Sequence, residues 1–109
     1  MFDNGFVKVY RSILTWKWYT DPEMMRLYFH LLLTVSYEEG EYAGIQLKPG
    51  MRVCSYNILA IETGMSLQQV KYCIGKMKSR GIILYKPHGN YSVLTLCEPK
   101  KFSTGPSEI

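Results

Sequence analysis

A group of hydrogen-bonding and cationic side chains between Ser66 and Ser79 has the residue types that a contact with nucleic acid needs. Glutamine amides can read adenine edges, and lysines can reach guanine or a phosphate. When this segment is unwound as a helix at about 100° per residue, one face gathers four candidates for base contacts. They are Gln68, Tyr72, Lys76 and Ser79. Lys71 and Lys78 flank the apolar face and are predicted to contact phosphates.

Further candidates for DNA contact lie at the two ends of this helix and in the turn that comes after it. Gln69 lies at the margin of the polar face, and cations follow the helix. These additional candidates are Ser66, Gln69, Arg80, Lys86, His88 and Asn90. For His88 we favour the simpler interpretation, an ordinary solvent-exposed turn residue, over a specific contact.

The segment from Ser55 to Ser79 is predicted to form two helices joined by a tight turn, with a hydroxyl residue, Ser55 or Ser66, at the start of each. Ala60 is small enough for the helices to cross closely, and Gly64 tolerates the left-handed backbone of a turn. Ser66 is the predicted cap of the second helix, with Gln69 at the capping-box spacing. This is the helix-turn-helix pattern. The predicted shared core is Leu59, Met65, Val70 and Cys73, and the predicted apolar stripe of the second helix is Leu67, Val70, Cys73, Ile74 and Met77.

A β-hairpin is predicted directly after the second helix. Arg80 and Gly81 close the helix with a cation and a C′ glycine. Residues 82–86 and 91–97 are rich in β-branched and aromatic residues, and residues 87–90 form a turn cluster of Pro, His, Gly and Asn. Two strands in this position would form the wing of a winged helix. The predicted fold is therefore α+β, mainly α: a winged helix-turn-helix with an extra N-terminal helix and a C-terminal β-hairpin wing.

The N-terminal half is predicted to support the helix-turn-helix. A short helix is expected at residues 10–15, and a longer one runs from an N-cap at Asp21 to about Ser36. Residues 37–44 are expected to be a loop. A strand at residues 45–47 would pair with the wing, and residues 51–54 would be extended. The apolar stripe of the longer helix is Met24, Leu27, Tyr28, Leu31, Leu32 and Val35, with His30 at its boundary.

The charge of the chain is uneven, although the net charge is only +4. Residues 66–101 contain seven Lys or Arg and one Glu, a net +6, whereas residues 1–65 carry a net −1. The positive charge therefore coincides with the predicted recognition helix and wing, which favours a polyanionic partner. The length of 109 residues suits one domain, predicted at residues 1–101, with residues 102–109 as a flexible tail or linker.

Other classes of protein receive little support from the sequence. The three cysteines, Cys54, Cys73 and Cys97, have no metal-ligand spacing and are predicted to be small buried hydrophobes. The glutamates at 38, 39 and 41 lack calcium-loop spacing. We find no nucleophile–base pair and no phosphate loop, so we expect no enzyme, no metal and no cofactor. We see no signal peptide and no stretch long enough to span a bilayer, so a cytoplasmic setting is expected.

Three segments carry a resemblance to a known family: GFVKVYRSILTWKWYTDPEMMRLYFHLLL, then GIQLKPGMRVCSYNILAIETGMSLQQVKYCIGKMKSRG, and the closing hairpin. In this order the chain resembles, over about residues 5–102, the N-terminal domain of phage and prophage replisome organisers, which are DnaD-like. The W-x-W-Y-x-D-P motif is the most distinctive part. The resemblance implies a winged helix that binds DNA at a replication origin or assists self-association and helps recruit the host helicase machinery. A separate C-terminal domain usually follows in that family.

Three functions fit these observations. The first is a DNA-binding domain for replication initiation in a phage or mobile element. The second is a small transcriptional repressor, which would use the same features. The third is a protein-interaction or oligomerisation module, for example a homodimer, with the aromatic cluster of Trp16, Trp18 and Tyr19 as its surface. For that cluster we favour the simpler interpretation that the rings close the core under the long helix.

Overall fold

A computed structural model gives the structure of the protein and describes residues 6, 7, 9 and 11–97. The predicted tail at residues 102–109 lies outside the described residues. Within them the fold is α+β, with three α-helices and two antiparallel sheets. The helices are a 3₁₀-helix at Arg11–Thr15, α1 at Pro22–Thr34, α2 at Tyr56–Thr63 and α3 at Leu67–Ser79. The strands are β1 at Gly40–Tyr42, β2 at Ile45–Leu47, β3 at Met51–Cys54, β4 at Ile83–His88 and β5 at Tyr91–Leu96.

Helix α1 begins where the sequence predicts and ends slightly earlier. The Asp21 side chain accepts the Met24 N–H at 3.2 Å, which is the expected N-cap bond. The helix ends at Thr34, before the predicted end near Ser36, because the Ser36 N–H donates to the Met51 carbonyl at 2.9 Å. That bond ties the end of α1 to the start of β3. The predicted stripe is confirmed as buried: Met24, Leu27, Tyr28, Leu31, Leu32 and Val35.

The predicted caps and turn between α2 and α3 are confirmed. The Ser55 hydroxyl accepts the Ile58 N–H at 3.1 Å and begins α2. Gly64 ends α2 with a φ of 75°, in the left-handed region that glycine adopts at no Cβ cost. Ser66 and Gln69 form a reciprocal capping box, with both hydrogen bonds at 3.0 Å. Local sequence signals therefore fix both helix starts and the turn between them.

The core lies where α1, α2 and α3 meet, with α1 against both other helices. All four predicted core residues, Leu59, Met65, Val70 and Cys73, are buried. The prediction was wrong for Leu67, which is 40% exposed. As the first residue of α3, its side chain projects over the turn before the helix, outside the contact with α1 and α2. Cys97 was also predicted to be buried but is only half-buried, since it follows the last residue of β5.

Two of the three clustered aromatic residues pack on the core, as the simpler interpretation expects. Trp18 is buried, and the half-buried Trp16 meets it edge to face at 5.4 Å between ring centroids. Trp16 also meets the Tyr28 ring of α1 at 4.6 Å. Tyr19 differs from its neighbours because its side chain is exposed. The segment between the 3₁₀-helix and α1 is thus held to the core by its tryptophans.

The C-terminal hairpin forms as predicted but with a shorter turn. Strand β5 is central in the three-stranded sheet, in the order β3-β5-β4. His88 pairs with Tyr91, so only Gly89 and Asn90 remain in the turn, and the predicted turn at 87–90 was too long. Gly89 has a φ of 66°, as a two-residue hairpin turn requires. Pro87 is tolerated within β4 because β4 is an edge strand, whose outward N–H positions pair with no neighbour.

The prediction for residues 37–54 was wrong in its strand pairing. Strand β1 lies in the segment predicted to be a loop, and β2 pairs with β1 rather than with the C-terminal hairpin. Ala43 and Gly44 both have positive φ, which allows a two-residue turn between the two strands. Closing so short a loop costs little conformational entropy, so β2 pairs with the neighbouring β1 rather than with the distant C-terminal hairpin. Strand β3, predicted only as an extended segment, is the one that pairs with β5.

Candidate nucleic-acid interface

Helix α3 presents one buried and one exposed side. Val70, Cys73, Ile74 and Met77 form the buried stripe on its inner side. Lys76 is half-buried, whereas the other members of the predicted contact set are exposed. These exposed members are Ser66, Gln68, Gln69, Lys71, Tyr72, Lys78, Ser79, Arg80, Lys86, His88 and Asn90. The structure thus places the polar residues of α3 on the side that faces away from the core.

Two of the predicted contact residues already use their side chains within the cap of α3. The Gln69 Oε1 atom accepts the Ser66 N–H, and the Ser66 hydroxyl accepts the Gln69 N–H. Gln69 could present a full amide edge to adenine only by giving up this cap, which is worth about 1 kcal/mol. The Ser79 hydroxyl also donates a hydrogen bond to the Lys76 carbonyl at 2.9 Å. Gln68 and Tyr72 are therefore the exposed, predicted base-facing residues whose polar side-chain atoms are not used in this way.

Aromatic rings hold three cations of this region in place. The Lys71 ammonium lies 5.7 Å from the centroid of the Tyr56 ring, and the Lys76 ammonium lies 5.6 Å from that of Tyr72. The Arg80 guanidinium lies 5.7 Å from the Trp18 ring. Each such contact contributes about 0.5–1 kcal/mol at an exposed site. The rings restrict the lysine and arginine rotamers, so these side chains would lose less conformational entropy on contact with an anion.

A column of aromatic rings connects α3 to the C-terminal hairpin. Tyr56, the first residue of α2, stacks on Tyr85 of β4 with centroids 5.0 Å apart and planes 16° apart. Lys71 of α3 lies over the other end of the column, on Tyr56. Burial raises the pKa of Tyr85, which keeps its hydroxyl protonated. Neither Tyr56 nor Tyr85 was predicted to have this role, although an aromatic residue at an inward-facing strand position is a recognisable signal of packing.

The remaining candidates on strand β4, Lys86 and His88, lie on one face of the sheet. Side chains alternate along a strand, so Tyr85 faces the helices while Lys86 and His88 lie on the opposite face. Their cross-strand partners on that outer face are Val93 and Tyr91. Lys86 and His88 therefore do not join the exposed face of α3 directly. They could reach a ligand only along the rim of the hairpin, next to the exposed Asn90 in the turn.

The electrostatics of this region are uniformly positive. From residue 66 to residue 97 the sequence has five Lys or Arg and no Asp or Glu. The nearest acidic residue that precedes this segment, Glu62 of α2, is occupied by other partners. Its carboxylate pairs with Arg52 and with His30, both at 2.7 Å. The Arg52 hydrogen bond is the main reason that the pKa of Glu62 is held below its ordinary value. The pair with Glu62 places His30 at a boundary, as predicted.

The described residues hold no group of three or more His, Cys, Asp or Glu side chains that could bind a metal. Burial raises the pKa of Cys54 and of Cys73 to about 11, so both thiols are protonated at neutral pH. A protonated thiol is a poor nucleophile and a poor metal ligand. What these residues bring to the molecule is packing.

Comparisons of the chain with protein-family models, with curated proteins and with solved structures find no match. In the part of the chain that the structure describes, no helix is long and apolar enough to cross a membrane. Helix α3, the rings that support it and the surrounding charge are therefore the features from which a function can be inferred.

Proposed function

We propose that this protein is a winged-helix domain that binds double-stranded DNA through α3 and serves replication initiation in a phage or another mobile element. The observation that carries the DNA-binding part is the exposed polar face of α3. Gln68 and Tyr72 lie there between flanking lysines, opposite a fully buried stripe. A helix presented in this way can enter a major groove with hydrogen-bonding groups at its centre and cations at its shoulders.

The order of the elements supports the same proposal. Helix α2 precedes α3 across a glycine turn, and the β4–β5 hairpin follows it, in the order of a winged helix-turn-helix. The capping box fixes the start of α3, and the Tyr56–Tyr85 stack connects the hairpin to the helices. A recognition helix needs this kind of support because side chains must meet base edges within a narrow range of geometry.

The replication role is supported by the resemblance in the W-x-W-Y-x-D-P segment, and host replication proteins would then be partners. A transcriptional repressor would use the same face of α3, so duplex binding alone does not separate the two roles. An adjacent helicase-loader gene favours replication, whereas an adjacent divergent promoter favours repression.

Fluorescence anisotropy of a labelled duplex, measured over a range of salt concentrations, tests the DNA-binding proposal. We expect Lys71→Ala/Lys78→Ala to bind more weakly and to reduce the slope of log K against log salt by about 1.8, since each lost phosphate contact removes about 0.9. The matched control is Arg11→Ala/Lys48→Ala, which removes the same charge at exposed positions on other elements. Equal losses in the two double variants, or no duplex binding at low salt, would overturn the proposal.

Selection of bound sequences from a random duplex pool then tests base reading. Enrichment of a motif that disappears in Gln68→Ala supports direct readout by α3. A palindromic motif implies a symmetric dimer, because half-sites mirror the two-fold axis of the protein. A pool without enrichment, together with a normal salt slope, would limit α3 to phosphate contacts.

A further inference from the structure

A pocket lies where the C-terminal end of α3 meets the segment before α1. Its volume is about 270 Å³, and it is lined by Trp16, Lys17, Trp18, Arg80 and Ile82. This volume is slightly below the range of about 300–1,000 Å³ that is usual for small-molecule sites. The pocket therefore suits one flat group rather than an extended ligand. The duplex-binding proposal uses none of its residues except Arg80.

The aromatic floor of the pocket is held rigidly from beneath. Trp16 meets the Trp18 ring at 5.4 Å and the Tyr28 ring at 4.6 Å, both edge to face. Tyr28 is buried in the core, so its ring blocks any inward movement of the Trp16 ring. Trp16 is only half-buried, and part of its surface remains accessible from the pocket. A preformed ring of this kind can stack a ligand without first losing its own freedom.

The rim of the pocket is cationic. The Arg80 guanidinium lies over the Trp18 ring, and Lys17 is exposed between the two tryptophans in the sequence. None of the five lining residues is acidic. The nearby Asp21 uses a carboxylate oxygen to cap α1. An aromatic floor with a cationic rim is complementary to a group that is flat, apolar on its faces and anionic at one side.

The pocket is fixed relative to the exposed face of α3. Two backbone hydrogen bonds close α3, from Gly81 N–H to the Lys78 carbonyl at 3.1 Å and from Ile82 N–H to the Met77 carbonyl at 2.9 Å. This is the Schellman pattern, with Gly81 left-handed at a φ of 75°. Arg80 and Ile82 therefore continue directly from the helix into the pocket. Lys78, a predicted phosphate contact, precedes Arg80 of the pocket by two residues at the end of the same helix.

We propose that this pocket binds one unpaired nucleotide of single-stranded DNA, adjacent to the duplex contacted by α3. The base stacks on Trp16, and its phosphate pairs with Lys17 and Arg80, because ring faces and cations together are what binds single strands. The inference rests on the proposed DNA-binding function and adds to it a preference for junctions between duplex and single strand. An acidic peptide with an apolar end group shares part of this chemistry and serves as the competing ligand in the test.

Intrinsic fluorescence provides a readout specific to the pocket, because both tryptophans of the chain line it. We expect an oligothymidylate and a duplex with a thymidine overhang to quench this fluorescence saturably. A blunt duplex should bind, as seen by anisotropy of a label on the DNA, with much weaker quenching. Lys17→Ala should weaken binding of the oligothymidylate without changing the affinity for the blunt duplex, and Lys48→Ala should change neither.

Substitution of the ring tests the stacking directly. Trp16→Leu should lower the affinity for the oligothymidylate by at least about 5-fold, the smallest loss expected for one base–aromatic stack. Because Trp16 also packs on Tyr28, the Tm of the Trp16→Leu variant is measured together with its affinity. If Trp16→Leu unfolds, Lys17→Ala decides alone, since Lys17 is exposed.

The outcomes separate this inference from the function on which it rests. Binding of the blunt duplex without quenching by any single-stranded probe overturns the pocket inference and leaves the duplex proposal standing. Quenching by the oligothymidylate that Lys17→Ala reduces, together with no duplex binding, supports the pocket and overturns the duplex proposal. Quenching by a Glu-rich peptide that ends in Phe, but not by the oligothymidylate, assigns the pocket to a protein partner and overturns the nucleotide site.

Discussion

Glu62 is the point at which α1, α2 and β3 meet through charged side chains, and its removal has a calculable effect. Its two carboxylate oxygens pair with His30 and Arg52, each at 2.7 Å, and Arg52 also donates to the Thr34 hydroxyl at 3.0 Å. Glu62→Gln keeps the shape of the side chain and removes the charge. We expect the variant to be less stable at neutral pH because both pairs lose their charged acceptor.

The magnitude follows from the exposure of the pairs. The Glu62 side chain is 35% exposed, whereas those of Arg52 and His30 are 15% and 21% exposed. The partly exposed Arg52–Glu62 ion pair contributes about 0.2–1 kcal/mol, and the His30 hydrogen bond adds about 0.5 kcal/mol, so the two together contribute about 1 kcal/mol to the free energy of unfolding. For a domain of this size that is a fall in Tm of about 5 °C. Thermal melts followed by circular dichroism measure it directly.

The dependence on pH gives the sharper test. Because the pKa of Glu62 is lower in the folded state than its ordinary value of 4.5, the unfolded state binds the proton more readily. The stabilisation is therefore fully present above pH 4.5 and is lost as pH falls through the lower, folded pKa. The gap in Tm between wild type and Glu62→Gln should close over that acid range. Glu39→Gln, at an exposed glutamate, is the control and should match wild type throughout.

Two results would refute this reasoning. One is a Glu62→Gln variant as stable as wild type at neutral pH, which would mean that the pairs contribute nothing net. The other is a gap in Tm that stays constant into strong acid, which would assign the effect to packing rather than to charge. A double-mutant cycle with Arg52→Ala should give a coupling of about 0.5 kcal/mol, in line with a single half-exposed pair.

Three further predictions concern the backbone and the thiols. Gly64→Ala should lower the free energy of unfolding by about 1 kcal/mol because φ is 75° there, whereas Gly75→Ala should raise it by about 0.5–1 kcal/mol because Gly75 lies inside α3 with open space at its Cβ position. The midpoints of the urea melts of the two variants should therefore shift in opposite directions. Shifts of the same sign would contradict these two backbone assignments. Ser66→Ala should cost about 1 kcal/mol through loss of the capping box, while Thr20→Ala, at an exposed hydroxyl, should cost less in the same melts. Alkylation, followed by mass spectrometry, should modify Cys97 first and reach Cys54 and Cys73 only on unfolding, because burial raises the pKa of Cys54 and of Cys73 to about 11. Early modification of Cys54 in the native protein would show that β3 opens.

The sequence predicts well those features that depend on a few neighbouring residues. Asp21, Ser55 and Ser66 are predicted as caps, and each accepts the expected N–H because a cap bond spans only three residues. The buried stripes of α1 and α3 follow in the same way from helical periodicity. The exception, Leu67, lies at the first position of its helix, where periodicity does not yet decide which side is covered.

Features with a weak local signal or with distant partners were not predictable from the residues alone. The β1–β2 pairing was missed because Ala43 takes a positive φ that alanine rarely adopts, so Gly44 alone signals the turn of this hairpin. The division between Tyr85 on one sheet face and Lys86 on the other depends on the exact register with β5. The Tyr56–Tyr85 stack and the pocket at Trp16 both join segments far apart in the chain, and only the packed helices bring them together.

The position of Pro87 in β4 has a consequence for the behaviour of the molecule at high concentration. An exposed edge strand is a template on which another chain can add a strand and begin aggregation. Pro87 has no N–H to offer along that edge, and Lys86 beside it adds a charge that an incoming strand would have to accommodate. The sheet is thereby terminated at β4. Copies of the protein at high concentration are therefore less prone to join through β4 into an insoluble assembly.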